Sequence, residues 1–120
     1  MRVAISAQGD NLDSEVDPRF GRASHFLIVD TDTMTFEAVR NDQNLNLSQG
    51  AGIQAAQNVA EHQPEVVLTG NCGPKAFRAL QAAGVKVIVG VEGKIKDVIK
   101  NFLENKYASV DEANVEGHWM

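Results

Sequence analysis

Apolar positions alternate with polar ones in the N-terminal part of the chain, a pattern typical of β-strands. The alternation predicts strands over residues 3–7, 25–30 and 35–40. A short polar turn separates the last two of these, which predicts an antiparallel hairpin. Polar stretches at residues 8–17 and 41–50 are predicted loops.

From Gly50 onward the apolar period lengthens to that of an amphipathic helix. Three helices are predicted, separated by short apolar strands at residues 65–69 and 85–89, and Ser48 is the predicted cap of the first. Their expected core-facing residues are Ile53, Ala56 and Ala60 in the first, Ala76, Phe77, Leu80 and Ala83 in the second, and Ile95, Val98, Ile99, Phe102 and Leu103 in the third.

The predicted order of elements is therefore β-β-β-α-β-α-β-α. Right-handed crossovers make the strands that flank helices parallel to one another, and the hairpin reverses one strand. The sequence predicts a single α/β domain with a mixed sheet that contains one antiparallel strand.

Composition and charge narrow the function classes. Sixteen acidic against eleven basic residues give a net charge of −5, which argues against a nucleic-acid partner. A single cysteine excludes an intramolecular disulfide and favours a reducing cytoplasm. No apolar run reaches the roughly 20 residues of a membrane span, and the N-terminus does not resemble a signal peptide. We expect a cytoplasmic protein without a membrane partner.

The turn at residues 70–75 is the first candidate for chemistry, because ligands of open α/β sheets bind beyond the carboxyl ends of parallel strands. Two glycines, Gly70 and Gly73, flank Asn71 and Cys72 just before a helix. A helix N-terminus is expected to lower the pKa of Cys72 and to favour a thiolate. The alternative is that Cys72 is a small buried residue that fills a tight turn.

The second candidate is the loop that contains Arg19 and Arg22. Two guanidinium groups around a Phe-Gly turn are suited to an anionic ligand. The alternative is a solvated loop that Phe20 anchors in the core.

Three motifs in order, VDPRFGRASHFLIVD, GAGIQAAQ and VVLTGNCGPKAFRALQAAGVKV, resemble the dinitrogenase iron–molybdenum cofactor biosynthesis domain family, which includes NifX-like proteins and the C-terminal part of NifB-like proteins. The resemblance covers residues 1–107 and leaves a polar tail at residues 108–120. It implies a ribonuclease H-like fold with a five-stranded mixed sheet.

The resemblance also implies a small carrier or scaffold, and not an enzyme, for an iron–sulfur or iron–molybdenum-type cluster. Its partners would be proteins that donate and accept the cluster, and the chain would be a monomer or a homodimer. The expected cofactor-binding residues are Arg19, Arg22, Gly70, Asn71 and Gly73, which match the family's Arg-Phe-Gly-Arg and Gly-Asn-x-Gly-Pro motifs, together with Cys72, which stands at the variable position x. Cys72 is the expected metal ligand, and His25 is the candidate for a second.

Other functions are weighed against the carrier. A phosphate- or nucleotide-binding regulatory module would use the glycines and lysine of residues 70–75, although the Walker A spacing is absent. A thiol redox enzyme would need a partner's thiol, and a two-metal nuclease would need carboxylates that the first strand lacks. A single cysteine cannot supply the four thiolates of a closed iron–sulfur site, so a bound cluster would occupy an open one.

Overall fold

A computed structural model describes residues 1–41 and 50–107, and the elements occur in the predicted order. The strands are β1 (Arg2–Ala7), β2 (His25–Asp30), β3 (Thr35–Arg40), β4 (Val66–Leu68) and β5 (Lys86–Ile88). The helices are α1 (Ala51–Ala60), α2 (Pro74–Ala82) and α3 (Ile95–Leu103), and a short 3₁₀ turn covers Phe20–Arg22.

The five strands form one mixed sheet in the order β3-β2-β1-β4-β5. Strand β2 runs antiparallel to both of its neighbours, whereas β1, β4 and β5 are mutually parallel. The predicted five-stranded sheet with one antiparallel strand is confirmed. Crossover helices α1 and α2 produce the parallel pairs, because each returns the chain to the same end of the sheet.

Each face of the sheet has its own apolar core. One face packs against α1 and α2 through residues such as Ala55, Val59 and Leu80. The other packs against α3 through Val98 and Ile99. Side chains alternate between these faces along every strand, so the position of a residue in its strand decides which helices it meets.

Some residues that were predicted to face the core are not among the buried residues. Ile53 and Ala60 are only partly buried. The buried face of α1 is instead formed by Ala51, Ala55, Ala56 and Val59. Ala83 is exposed because it follows Ala82, the last residue of α2. Leu103 is 50% exposed. At about 100° per residue it lies about 80° around α3 from Ile95, at the flank of the apolar stripe. Ser48, the predicted cap of α1, lies outside the described residues.

Within residues 1–41 and 50–107, no helix has the length and hydropathy needed to cross a membrane.

Candidate functional site

The two segments singled out in the sequence meet at one edge of the sheet, where β1, β4 and β5 end. We call this the carboxyl edge, and we call residues 17–23 the arginine loop. Arg19 forms a parallel bridge with Asn71. The Phe20 amide donates to the Asn71 carbonyl (3.2 Å), and the Asn71 side-chain amide donates to the Pro18 carbonyl (3.0 Å). The turn at residues 70–75 therefore lies beyond the parallel strands as expected, and the arginine loop lies beside it.

Glycines allow the arginine loop to lie close to its neighbours on both sides. A Cβ on Gly70 would lie 2.7 Å from the Pro18 Cα, and a Cβ on Gly21 would lie 2.9 Å from the Gly52 Cα. Both distances are shorter than a real side chain tolerates. The loop is therefore held between the turn before α2 and the first turn of α1.

The Phe20 side chain anchors this loop from below. It is 1% exposed, and its ring centroid lies 5.0 Å from that of Phe26, with the rings tilted by 51°. The alternative in which Phe20 anchors the loop in the core is confirmed. Arg19 and Arg22 lie on either side of this buried residue in the chain.

All three helices begin at the carboxyl edge, but they differ in the hydrogen bonds that their first backbone amides make. In α3 the amides of Ile95 and Lys96 donate to the carbonyls of Ser14 and Leu12 (2.9 and 3.0 Å). No side chain among the described residues caps α1 or α2, and neither has an acidic residue in its first turn. The positive ends of α1 and α2 are therefore suited to an anionic ligand.

The arginine loop and the start of α2 carry three basic side chains, those of Arg19, Arg22 and Lys75. Arg19 is 69% exposed, and Lys75 lies in the first turn of α2. The acid of the arginine loop, Asp17, is buried, and its Oδ1 accepts the Arg19 amide at 2.9 Å. The Arg19 Nε also lies 3.8 Å from the Asp17 Oδ1, and the loop at residues 8–17 brings further acids to this edge. The basic side chains are therefore a local feature of the arginine loop and the start of α2, where the N-termini of α1 and α2 lie.

Cys72 lies beneath this surface and not on it. It is 0% exposed and belongs to the core on the α1 and α2 face, with Phe20 and Ala76 among its members. Its Sγ lies 3.8 Å from the Gly73 carbonyl oxygen. Burial raises the pKa of the Cys72 thiol to about 12. The prediction of a lowered pKa is wrong, because desolvation of the thiolate outweighs the helix dipole.

His25 does not approach Cys72. It begins β2, opposite Ala7 and Arg40. The alternation of side chains places it with Leu27 and Val29 on the α3 face, the opposite face from Cys72. Its Nδ1 lies 3.0 Å from the Ser24 hydroxyl. In the part of the chain that the structure describes, no three His, Cys, Asp or Glu side chains form a group able to hold a metal ion.

Three buried polar residues at the carboxyl edge were missed by the sequence argument: Ser6, Asn41 and Thr69. Each one contacts the arginine loop or a residue that does. A sequence signal for such a residue is a polar side chain at a core-facing position of an apolar strand. Ser6 in β1 is an example. The arginines and the N-termini of α1 and α2 together are chemically suited to an anion.

Comparisons with known proteins agree with this architecture. A family model described as dinitrogenase iron–molybdenum cofactor matches residues 1–105. The orange protein (ORP) from Desulfovibrio gigas, solved in its apo form, is 47% identical with a TM-score of 0.92, and the match covers 95% of this chain and 96% of that one.

Two further relatives extend the match. A Thermotoga protein of the DUF35 family, solved by NMR and described as a candidate NifB protein, is 34% identical with a TM-score of 0.82 over 97% of this chain and 98% of that one. Protein MJ0580 of Methanocaldococcus jannaschii, itself uncharacterized, is 28% identical over 109 residues, 88% of either chain. With a family model that spans nearly all of the described residues, the chain belongs to the dinitrogenase iron–molybdenum cofactor family.

Proposed function

We propose that this protein is a small carrier or scaffold that holds an iron–sulfur or molybdenum-containing cluster as an anion at the carboxyl edge. The observation that carries the proposal is the arginine loop, which is held between the N-termini of α1 and α2. Family membership supports the cluster as the class of ligand. The cluster is cargo in this proposal, received from a donor protein and passed to an acceptor.

The charges at the site suit a cargo of this kind. Inorganic clusters with sulfide or oxide ligands are anions, and guanidinium groups and helix N-termini stabilise negative charge. Arg19 and Arg22 would neutralise the cluster, while the backbone amides around Gly70, Asn71 and Gly73 would donate to its sulfide or oxide atoms. A site held together by charge and hydrogen bonds releases its ligand more readily than a set of thiolates does, as a carrier requires.

Cys72 and His25 remain predicted metal ligands, and the geometry sets conditions on each. Cys72 would bind metal only after the arginine loop moves and the thiol loses its proton, because the side chain is fully buried. His25 would bind from the other face of the sheet. We therefore assign the main holding role to Arg19 and Arg22, and a direct bond from Cys72 is the feature to test.

The experiment is anaerobic reconstitution with iron and sulfide, with and without molybdate, followed by gel filtration and metal counting. We expect the parent protein to retain metal and the Arg19→Ala/Arg22→Ala variant to lose most of it. Lys100→Ala on the exposed side of α3 is a control for the loss of a positive charge. Equal metal retention in the arginine variant and the parent would contradict the proposal.

Cys72→Ala, tested in the same assay, shows whether the cluster is held by charge and backbone amides or by a direct bond from Cys72 to metal. If charge and amides hold the cluster, this variant retains as much metal as the parent. If Cys72 is a ligand, the variant loses metal although both arginines are present.

A phosphate- or nucleotide-binding module is the second candidate. It is favoured by the N-terminus of α2, which no described side chain caps and which Lys75 follows. Isothermal titration with nucleotides, inorganic phosphate and molybdate distinguishes the two, because a nucleotide module would prefer its nucleotide to the bare oxyanions.

We further propose that the protein has no catalytic turnover and acts in the cytoplasm, with residues 1–107 as the functional domain. Multiple-turnover hydrolysis of a nucleotide or peptide that is lost in a point variant would contradict the carrier.

A further inference from the structure

The arginine loop is fixed from below by buried polar side chains that do not themselves reach its surface. We propose that Ser6, Thr69 and Asn41 are positioning residues that set the anion affinity of the loop by holding its backbone. This inference rests on the proposed function, because it concerns the same ligand and the same arginines.

Ser6 and Thr69 hold the start of the loop. Their hydroxyl oxygens lie 2.7 Å apart, and both residues are 0% exposed. The Ser6 hydroxyl donates to the Asp17 carbonyl at 2.7 Å, so the Thr69 hydroxyl is the donor within the pair. The Asp17 amide in turn donates to the Ser6 carbonyl at 2.9 Å. Strands β1 and β4 are thereby tied to the first residue of the arginine loop.

Asn41 holds the other end. It follows β3 and is 1% exposed, and its side-chain amide donates to the Ala23 carbonyl at 2.8 Å and to the Gly21 carbonyl at 3.4 Å. These carbonyls lie on either side of Arg22. Together the two anchors fix the backbone before Arg19 and around Arg22.

The chemistry of these contacts indicates positioning and not simple packing. The apolar residues Ala4 and Val67 fill the preceding positions on the same face of β1 and β4, so the core does not need hydroxyls at this depth. Each of these side-chain hydrogen bonds either reaches a backbone carbonyl of the arginine loop or joins the Ser6 and Thr69 hydroxyls. Losing them therefore changes where the guanidinium groups lie without changing the charge of the protein.

The test compares near-isosteric variants. Ser6→Ala removes the bond to Asp17, Thr69→Val removes the donor of the hydroxyl pair, and Thr69→Ser keeps the hydroxyl as a matched control. Asn41→Leu removes both amide bonds at the other end. Binding of molybdate is measured by titration, and retention of reconstituted iron–sulfide cluster by metal counting. Urea unfolding midpoints identify any variant that does not fold.

We expect Ser6→Ala and Asn41→Leu each to weaken molybdate binding about tenfold, the lower range seen when a residue that orients a ligand-binding group is lost. Thr69→Val should have a smaller effect in the same direction, and Thr69→Ser should bind like the parent. In each of these variants the affinity for molybdate should decrease with salt concentration as steeply as in the parent, because no charge is removed. In Arg22→Ala the decrease should be less steep. A merely structural role would lower the unfolding midpoint without this loss of affinity in the folded fraction.

Parent-like molybdate affinity in folded Ser6→Ala and Asn41→Leu, with binding by the parent intact, would overturn this inference alone. If the parent binds neither molybdate nor a reconstituted cluster, the proposed function fails and this inference fails with it. Measuring the parent first keeps the two failures distinguishable.

Discussion

At the scale of single residues, two opposing effects meet at Cys72. Its place before a helix favours a thiolate, and its burial favours a neutral thiol. The helix dipole is worth about 0.3–1 kcal/mol at exposed sites, while removing a charge from water costs several kcal/mol. Burial therefore decides the protonation state.

The first prediction follows from the raised pKa of Cys72. Its thiol has an ordinary pKa of 9.0, which burial raises to about 12 in the folded protein. A group whose folded pKa is raised contributes stability that is complete below the unfolded pKa and is lost as pH rises toward the folded pKa. Between pH 9 and 11 the free energy of unfolding of the parent should therefore fall faster than that of Cys72→Ala, by up to about 1.4 kcal/mol per pH unit.

Urea melts of both proteins at several pH values measure this difference, because the two proteins differ only at residue 72. Parallel pH profiles for the parent and Cys72→Ala would contradict the prediction.

A second prediction concerns the reactivity of the same thiol. Thiolates and not thiols attack disulfide reagents, and the reagent must reach the sulfur. At pH 8 we expect Cys72 to react with an aromatic disulfide reagent only after denaturation. Spectrophotometric thiol counts with and without urea measure this, and rapid labelling of the native protein would show that the loop opens readily.

The site residues show what a sequence can and cannot predict. The turn before α2 could be located from the sequence, because Pro is favoured at the first position of a helix. The roles of Arg19 and Arg22 stay predictions. The sequence left the burial of Cys72 as one of two alternatives, and the structure confirms it. The role of Asn41 could not be predicted, because its bonds join segments far apart in the chain.

At the scale of elements, local sequence patterns predicted the strand bounds correctly where the alternation of apolar and polar residues was strong. The predicted strands at residues 25–30 and 35–40 coincide with β2 and β3. The predicted strands at 65–69 and 85–89 are each longer than β4 and β5. Thr69 nevertheless continues the pairing by donating its amide to the Ile88 carbonyl at 3.0 Å. The 3₁₀ turn at Phe20–Arg22 left no periodic signal because it is only 3 residues long.

A third prediction tests the orientation of α3. Ile99 is 1% exposed and faces the sheet, whereas Lys100 is exposed on the same helix. Ile99→Ala should lower the free energy of unfolding by about 2–5 kcal/mol through a cavity. Lys100→Ala should change it by no more than about 0.5 kcal/mol. Equal effects in urea melts would contradict the helix orientation.

At the scale of the whole molecule, the charge distribution matters more than the net charge. The net charge of −5 is a property of the whole chain and does not describe the carboxyl edge. There the chain directions place two helix N-termini beside the arginine loop. The crossover topology that makes β1, β4 and β5 parallel also brings the helix starts to one end of the sheet. The proposed anion site thus depends on a consequence of the fold, and the arginines would reinforce it.

The last prediction separates this local field from the overall charge. Arg22→Ala and Lys100→Ala each remove one positive charge, so both shift the net charge equally. If the field at the carboxyl edge holds the ligand, Arg22→Ala weakens molybdate binding, and Lys100→Ala leaves it close to that of the parent. Exposed charges separated by more than about 10 Å are largely screened at 0.1 M salt. Any effect of Lys100→Ala should therefore disappear when titrations at 10 mM salt are repeated at 100 mM. The effect of Arg22→Ala should persist, since the guanidinium would contact the anion directly. Equal losses for both variants at 100 mM salt would show that overall charge, and not the arginine loop, governs binding.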